Sequence, residues 1–183
     1  EQIGDNVIHD TEKEDKIKKA SPFKKLLDLV LTFAIVYIAL RLFFSFVLGI
    51  HVVSGDSMLP TFENGDMIIC TRIGEPDVGD IIVFNKDGAE LTKRVVAAEG
   101  DTVEVEPSGR VIVNGEEVSA AGREIAEQDQ WDYPVDGVPE GYVFVLGDNR
   151  EVSIDSRFAT IGLVSLDEVV GTELITIPMP GGN

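Results

Sequence analysis

The sequence predicts a mainly β protein: an antiparallel β-sheet domain carrying a small β-hairpin excursion and preceded by one N-terminal transmembrane α-helix. Three observations carry that expectation. There is a single long apolar run, "LLDLVLTFAIVYIALRLFFSFVLGI", from Leu26 to Ile50. From Val52 onward the chain changes to short alternating or β-branched runs: "DMIICTRI", "DIIVFNK", "LTKRVVAAE", "DTVEVE", "GRVIVNGEEV", "GYVFVLGD" and "ELITI". Between those runs stand Gly, Asp and Asn, residues whose backbone and side-chain preferences turn a chain back on itself.

The apolar run is long enough to span a bilayer, since about 20 helical residues at roughly 1.5 Å each cross the hydrocarbon core. The expected span is residues 25–48. A buried core helix is the alternative, and the length and lack of helix breakers argue against it. Arg41 is costly inside lipid, by about 2.5–3.5 kcal/mol at a span's centre. Either it snorkels outward from a span ending near Leu48, or the span ends near Leu40 and "LFFSFVLGI" lies along the interface. The basic stretch "KIKKASPFKK" precedes the run, and no Lys or Arg lies between Arg41 and Arg72 beyond it. The positive-inside rule therefore puts residues 1–24, a polar and flexible tail, in the cytoplasm and residues 49–183 outside. A cleaved signal peptide is the competing reading, but no small-x-small site closes the run, so an uncleaved anchor is expected.

Within residues 49–183 the strand runs argue for antiparallel pairing, with one face of each strand toward a core. "VNGE" at Asn114 and Gly115 is a two-residue hairpin signal, because a primed turn needs positive φ at both central positions. Residues 104–140, richer in Gly, Pro and acidic side chains, read as the hairpin-bearing excursion from the main sheet. A 44% hydrophobic composition is enough for a packed core.

The formal net charge is −18. Lys13, Lys16, Lys18, Lys19, Lys24, Lys25 and Arg41 balance seven acidic residues before position 50, so the whole excess belongs to the region beyond it. Such a region should be soluble, and repelled by anionic lipid except where apolar surface docks it. The charge also argues against nucleic acid as a partner, because phosphate binding needs Lys and Arg. The lone Cys70 cannot form an intramolecular disulfide.

The segment "VVSGDSMLPTFENGDMII" places Ser57 in a Gly-rich turn just after the apolar run. Turn chemistry alone explains such a serine, so a nucleophile needs a base nearby. His9 lies across the membrane in this topology, and His51, six residues before Ser57, is about 20 Å away along an extended strand. The other route is a lysine that has lost its charge by burial, against an ordinary pKa of about 10.4. "LTKRVVAA" offers Lys93, which shares one strand face with Leu91, Val95 and Ala97. A lysine on an edge strand is also a common solubility device. In "LGDNREVSIDSRFATIGLV" Asp148, Asn149, Arg150, Ser153, Asp155, Ser156 and Arg157 crowd into ten positions after an apolar strand, more polar groups than a turn requires.

Together, in order, the anchor, "SGDSMLPT", "NGDMIIC", "LTKRVVAAEGD" and "LGDNREVSIDSR" resemble bacterial type I signal peptidase, the membrane-anchored Ser-Lys protease that removes signal peptides from exported proteins. The likeness covers residues 26–177 and has the character of the Gram-positive-like branch. It implies Ser57 as nucleophile, Lys93 as general base and the Ser57 backbone N–H as oxyanion donor. It implies that Ser153 hydrogen-bonds and orients the Lys93 amine, and that Asp155 and Arg157 form an ion pair beneath the site. Arg94, Asp148, Asn149 and Arg150 match framework positions, and Met58 and Pro60 would fix the turn. Some relatives carry a serine two residues before the nucleophile, where Gly55 stands here. Substrate is expected as an added strand, with Val52, Val53 and Leu91 forming shallow pockets for small side chains at −1 and −3, and with Gly55 and Asp56 beside it. Neither metal nor cofactor is implied. The expected partners are signal peptides and the lipid bilayer, and the chain is expected to be a monomer of the bacterial plasma membrane. Two rivals are a self-cleaving Ser-Lys repressor-type protease, which has no membrane anchor, and a non-catalytic assembly factor on the same scaffold, which would lack nucleophile or base.

Overall fold

The computed structural model describes residues 22–119, 122–130 and 137–179. The chain divides into two compact units, residues 1–42 and 43–183. The expected tail, 1–24, lies outside the described residues up to position 21.

Helix α1, Pro22–Phe46, is 25 residues long and none of them is buried. Proline suits a first helical position, where its missing N–H is not needed. At 1.5 Å per residue α1 is roughly 37 Å long, more than a bilayer's hydrocarbon core. It is apolar enough to cross a membrane. The helix starts three residues before the expected 25–48 span and shows no break at Leu40; Leu48 already belongs to a strand. Its last turn is capped: Arg72 Nη1 donates to Ser45 O at 2.7 Å, a cation placed where helix carbonyls lack partners.

The second unit is built on ten strands: β1 (Leu48–Val52), β2 (Met67–Thr71), β3 (Ile81–Lys86), β4 (Ala89–Ala97), β5 (Val103–Val105), β6 (Val111–Val113), β7 (Glu116–Ser119), β8 (Tyr142–Leu146), β9 (Val164–Ser165) and β10 (Val169–Ile177). Seven form one sheet in the order β1-β2-β10-β3-β4-β8-β9, and β5-β6-β7 form a separate small sheet. Among the described residues, the pairings between these strands are all antiparallel. The small sheet is the expected excursion, and its β6–β7 turn has Asn114 at φ 53° and Gly115 at φ 80°, as a primed turn demands. A second turn of this kind, Asp87 and Gly88 at φ 53° and 84°, joins β3 to β4.

Two strands were not expected. β1 continues the apolar run and so reads as the end of a helix, and β9 has only two residues, too short for any periodicity.

Period-2 alternation decides the core. In β3 every residue from Ile81 to Phe84 is buried. Ile81 and Val83 pack with Val53, Met58, Phe62, Ile68 and Cys70 on one face, and Ile82 and Phe84 pack with Val95, Val143, Val145 and Val164 on the other. Cys70 is fully buried, and burial pushes its thiol up to about 11. On β1, β2 and β10 the opposite face stays open: Ile50 pairs with Ile69 and Val52 with Met67, while Ile175 and Ile177 flank the same two β2 residues. Ile50 and Val52 are more than half exposed.

At Gly171 the backbone of β10 lies close against β2. A Cβ there would lie 2.8 Å from both Cys70 Cβ and Thr71 O, one of them rigid backbone. Gly171→Ala should therefore lower unfolding free energy by about 1–3 kcal/mol, read from urea denaturation of the full chain in detergent.

Candidate active site

The loop after β1 is closed at its base by two backbone bonds, Val53 N–H to Asp66 O at 2.8 Å and Gly65 N–H to Val53 O at 2.9 Å. Inside it Gly55 takes φ +84° and donates its N–H to Asn64 Oδ1 at 2.9 Å. Side chains other than glycine rarely accept that φ, so a serine at this position would carry backbone strain although nothing lies within 4 Å of its Cβ. Met58 and Phe62, 1% and 5% exposed, sink into the core beneath the turn. They hold Ser57 up from a fixed floor.

Lys93 reaches this turn from β4. Its residue is 3% exposed, as alternation with the half-exposed Arg94 requires. Nζ lies 2.8 Å from Ser57 Oγ and 3.0 Å from Thr92 O. Burial pushes the amine down to about 8, against an opposing pull from the Asp155 carboxylate. A large part of this side chain is therefore neutral near pH 8, with a lone pair to offer.

One ion pair ties the loop after β8 to the Ser57 turn and to β4, and a second lies within that loop. Arg94 grips Asp148 through Nε to Oδ1 at 2.8 Å and Nη2 to Oδ2 at 2.6 Å, and Thr61 Oγ1 donates to Oδ2 at 2.6 Å. Burial works against ionisation of Asp148, but the bonds from Arg94 and Thr61 outweigh it and hold the carboxyl below its ordinary range. Deeper, Arg157 pairs with Asp155 at 2.8 and 3.0 Å, both residues fully buried. Asp155 Oδ2 also accepts the Gly147 N–H at 3.0 Å, and Arg157 Nη2 donates to Arg150 O at 2.9 Å. Arg150 in turn bonds Gly147 O at 2.8 Å and Val118 O of the small sheet at 3.2 Å.

Ser57, Lys93, Val52, Val53 and Leu91 line one cleft of about 60 Å³, together with His51 and Glu90. Three expectations need correction. Gly55 and Asp56 do not line this cleft: the Gly55 N–H is spent on Asn64, and the Asp56 carbonyl faces Asn149 Nδ2 at 3.1 Å. Ser153 does not bond Lys93. The Thr92 carbonyl takes the lysine, while Ser153 Oγ is buried without a hydrogen-bond partner and packs on Gly147. His51 is nearer the chemistry than an extended strand implied, because the chain folds back after β1. Its Nδ1 lies 3.2 Å from Glu90 Oε2, so it is turned to a carboxylate rather than to Ser57.

Gly147 also escaped the sequence reading. A Cβ there would overlap Ser153 and come within 2.6 Å of Ser57 O. Its signal was present as a glycine ending an apolar strand, which marks close backbone approach.

A β-sheet peptidase preceded by one long apolar helix is the class into which this chain falls. The family described as signal peptidase, peptidase S26, matches residues 26–177, and the chain belongs to it. Signal peptidase I S of Bacillus subtilis (strain 168) is 35% identical over 170 residues, covering 86% of this chain and 91% of that protein. Signal peptidase IB of Staphylococcus aureus (strain N315) is 30% identical over 169 residues, covering 81% and 87%. A crystal structure of a signal peptidase I from Enterococcus faecalis V583 is 30% identical, covers 57% of this chain and all of its own, and has a TM-score of 0.44.

Asp155→Ala strands a buried guanidinium and frees the Gly147 N–H. Loss of one partner from a buried pair costs about 3–5 kcal/mol, so the variant should unfold at markedly lower urea concentration, while Asp155→Asn, which keeps the shape, loses less.

Proposed function

We propose that this chain is a membrane-bound serine endopeptidase that removes N-terminal signal peptides from exported preproteins, with Ser57 as nucleophile and Lys93 as base. The observation that carries the reading is the buried amine of Lys93 at 2.8 Å from Ser57 Oγ. Neutral Nζ takes the Ser57 proton as Oγ attacks the scissile carbonyl carbon, and the carbonyl π pair moves onto oxygen. The Ser57 backbone N–H, which has no hydrogen-bond acceptor among the described residues, is the donor for that oxyanion. Collapse breaks the C–N bond, and the Lys93 ammonium returns its proton to the leaving amine. A water deprotonated by Lys93 then attacks the ester, and Ser57 Oγ leaves with the proton.

Substrate runs extended between the Val53 and Leu91 sides of the cleft. A space of about 60 Å³ holds only a small side chain, which favours Ala or Gly at −1 and small residues at −3. The basic residues ahead of α1 favour a cytoplasmic N-terminus and a catalytic region on the far side of the membrane. The open apolar face bearing Ile50, Val52 and Ile175 suits a lipid surface, where a membrane-borne signal peptide presents its cleavage site.

Ser57→Ala and Lys93→Ala should each abolish cleavage of a preprotein with Ala at −1, and the double variant should lose no more than either, because the pair acts as a unit. Mapping the new N-terminus after incubation with the detergent-solubilised chain checks both the activity and the site. Phe at −1 should not be cleaved; equal cleavage of Ala and Phe substrates sinks the proposed specificity.

The lysine must be neutral to act, so activity should fall as pH drops through about 8. From pH 7 to pH 9 the neutral fraction of such a group grows about tenfold, and kcat/KM should follow. A profile flat across that window refutes Lys93 as the base.

A further inference from the structure

We infer that Asn149 is a positioning residue that aims the Ser57 backbone N–H at the oxyanion. The inference rests on the Ser57 assignment proposed above and goes beyond it, since it assigns a task to a side chain outside the Ser57–Lys93 pair.

Asn149 holds two consecutive carbonyls of the nucleophile turn. Its backbone N–H donates to Ser57 O at 2.9 Å, and its Nδ2 donates to Asp56 O at 3.1 Å. A carbonyl oxygen only accepts, so the amide nitrogen rather than the amide oxygen must face Asp56. The peptide unit is planar and trans, with its C=O and N–H pointing in opposite directions. Pinning Asp56 O therefore sets the direction of the Ser57 N–H, and pinning Ser57 O sets the next plane. Both planes flanking the nucleophile's Cα are then fixed by one residue.

Asn149 is itself held. Its carbonyl accepts Ser153 N–H at 3.0 Å and Val152 N–H at 3.3 Å, and the adjacent Asp148 is locked by Arg94 and Thr61. Apart from Asn149, the Asp56 carbonyl has one further donor among the described residues, the Leu59 N–H at 3.3 Å. That weaker bond belongs to the turn and moves with it. Among the described residues, only the Asn149 side chain ties the Asp56–Ser57 peptide to a separate part of the fold. Donation to the carbonyl also polarises the peptide, which strengthens its N–H as a donor.

Asn149→Ala deletes the side-chain bond and keeps the backbone bond to Ser57 O, so the turn should survive with one plane loosened. Losing an oxyanion donor outright costs about 10²–10³ in kcat, and a misaimed donor should cost about 10- to 100-fold. Asn149→Asp is nearly isosteric but sets a carboxylate against the Asp56 carbonyl, so it should fall at least as far.

The test uses the full-length chain in detergent, a preprotein with Ala at −1 and −3, and a peptide aldehyde ending in Ala. The aldehyde adds the Ser57 O–H across its C=O and so presents a tetrahedral oxygen to the same donor. In Asn149→Ala, kcat and aldehyde affinity should fall by the same factor, with KM within about twofold and the acidic limb of the pH profile unmoved. A wild-type kcat in either variant overturns the inference, as does a fall in kcat with undiminished aldehyde affinity. So does a fall that travels with a shift of the acidic limb, since the side chain then acts through Lys93. Ser57→Ala is run alongside. If Ser57→Ala cleaves as fast as wild type, the Ser57 assignment falls and takes this inference with it; if it is inactive while Asn149→Ala is unimpaired, only the inference falls.

Discussion

The burial of one amine organises the site. Lys93 has to enter the protein at a position where water cannot solvate an ammonium, and bringing it down to about 8 costs roughly 3 kcal/mol relative to an ordinary lysine. Everything around it works to sustain that cost. The strand supplies Val95 and Ala97 on the same face, β3 covers it through the pairing of Ile82 with Lys93, and the Ser57 turn closes over the amine.

The two ion pairs have different tasks. Arg94 and Asp148, partly exposed, join the Ser57 turn to β4 and the loop after β8. Asp155 and Arg157 are fully dehydrated, and such a pair adds little net stability over an apolar replacement. Its value lies in position: Asp155 holds the Gly147 N–H and Arg157 the Arg150 carbonyl. The Asp155 carboxylate draws a proton toward Lys93, and burial of the amine outweighs that pull.

The sheet was legible because alternation is a local property: β2, β3, β4, β6 and β8 all fall within runs visible as written. The Asn114–Gly115 turn was legible for the same reason, since positive φ selects its residues. β1 was hidden by continuity with the apolar helix, because no polar residue marks the change from period 3.6 to period 2. The segments holding Ser57, Lys93 and Asp148 were recognisable as segments, and the fold brings them together. The contacts within the site were less visible. Whether Thr92 O or Ser153 Oγ meets Nζ depends on where the loop after β8 sets Ser153, and the approach of His51 to the cleft depends on a reversal after β1. Neither is written in spacing.

Cys70 has a further practical consequence. It is the chain's single cysteine, it is completely shielded in the core, and its thiol stays protonated far above neutral pH. Thiol-directed reagents attack thiolates that they can reach. The native chain is therefore silent toward them, and a cysteine introduced at an exposed position would be the one that reacts. A spin label or fluorophore can be attached at a chosen surface site without first removing the natural cysteine, so depth in a bilayer becomes measurable on a protein whose core is unaltered.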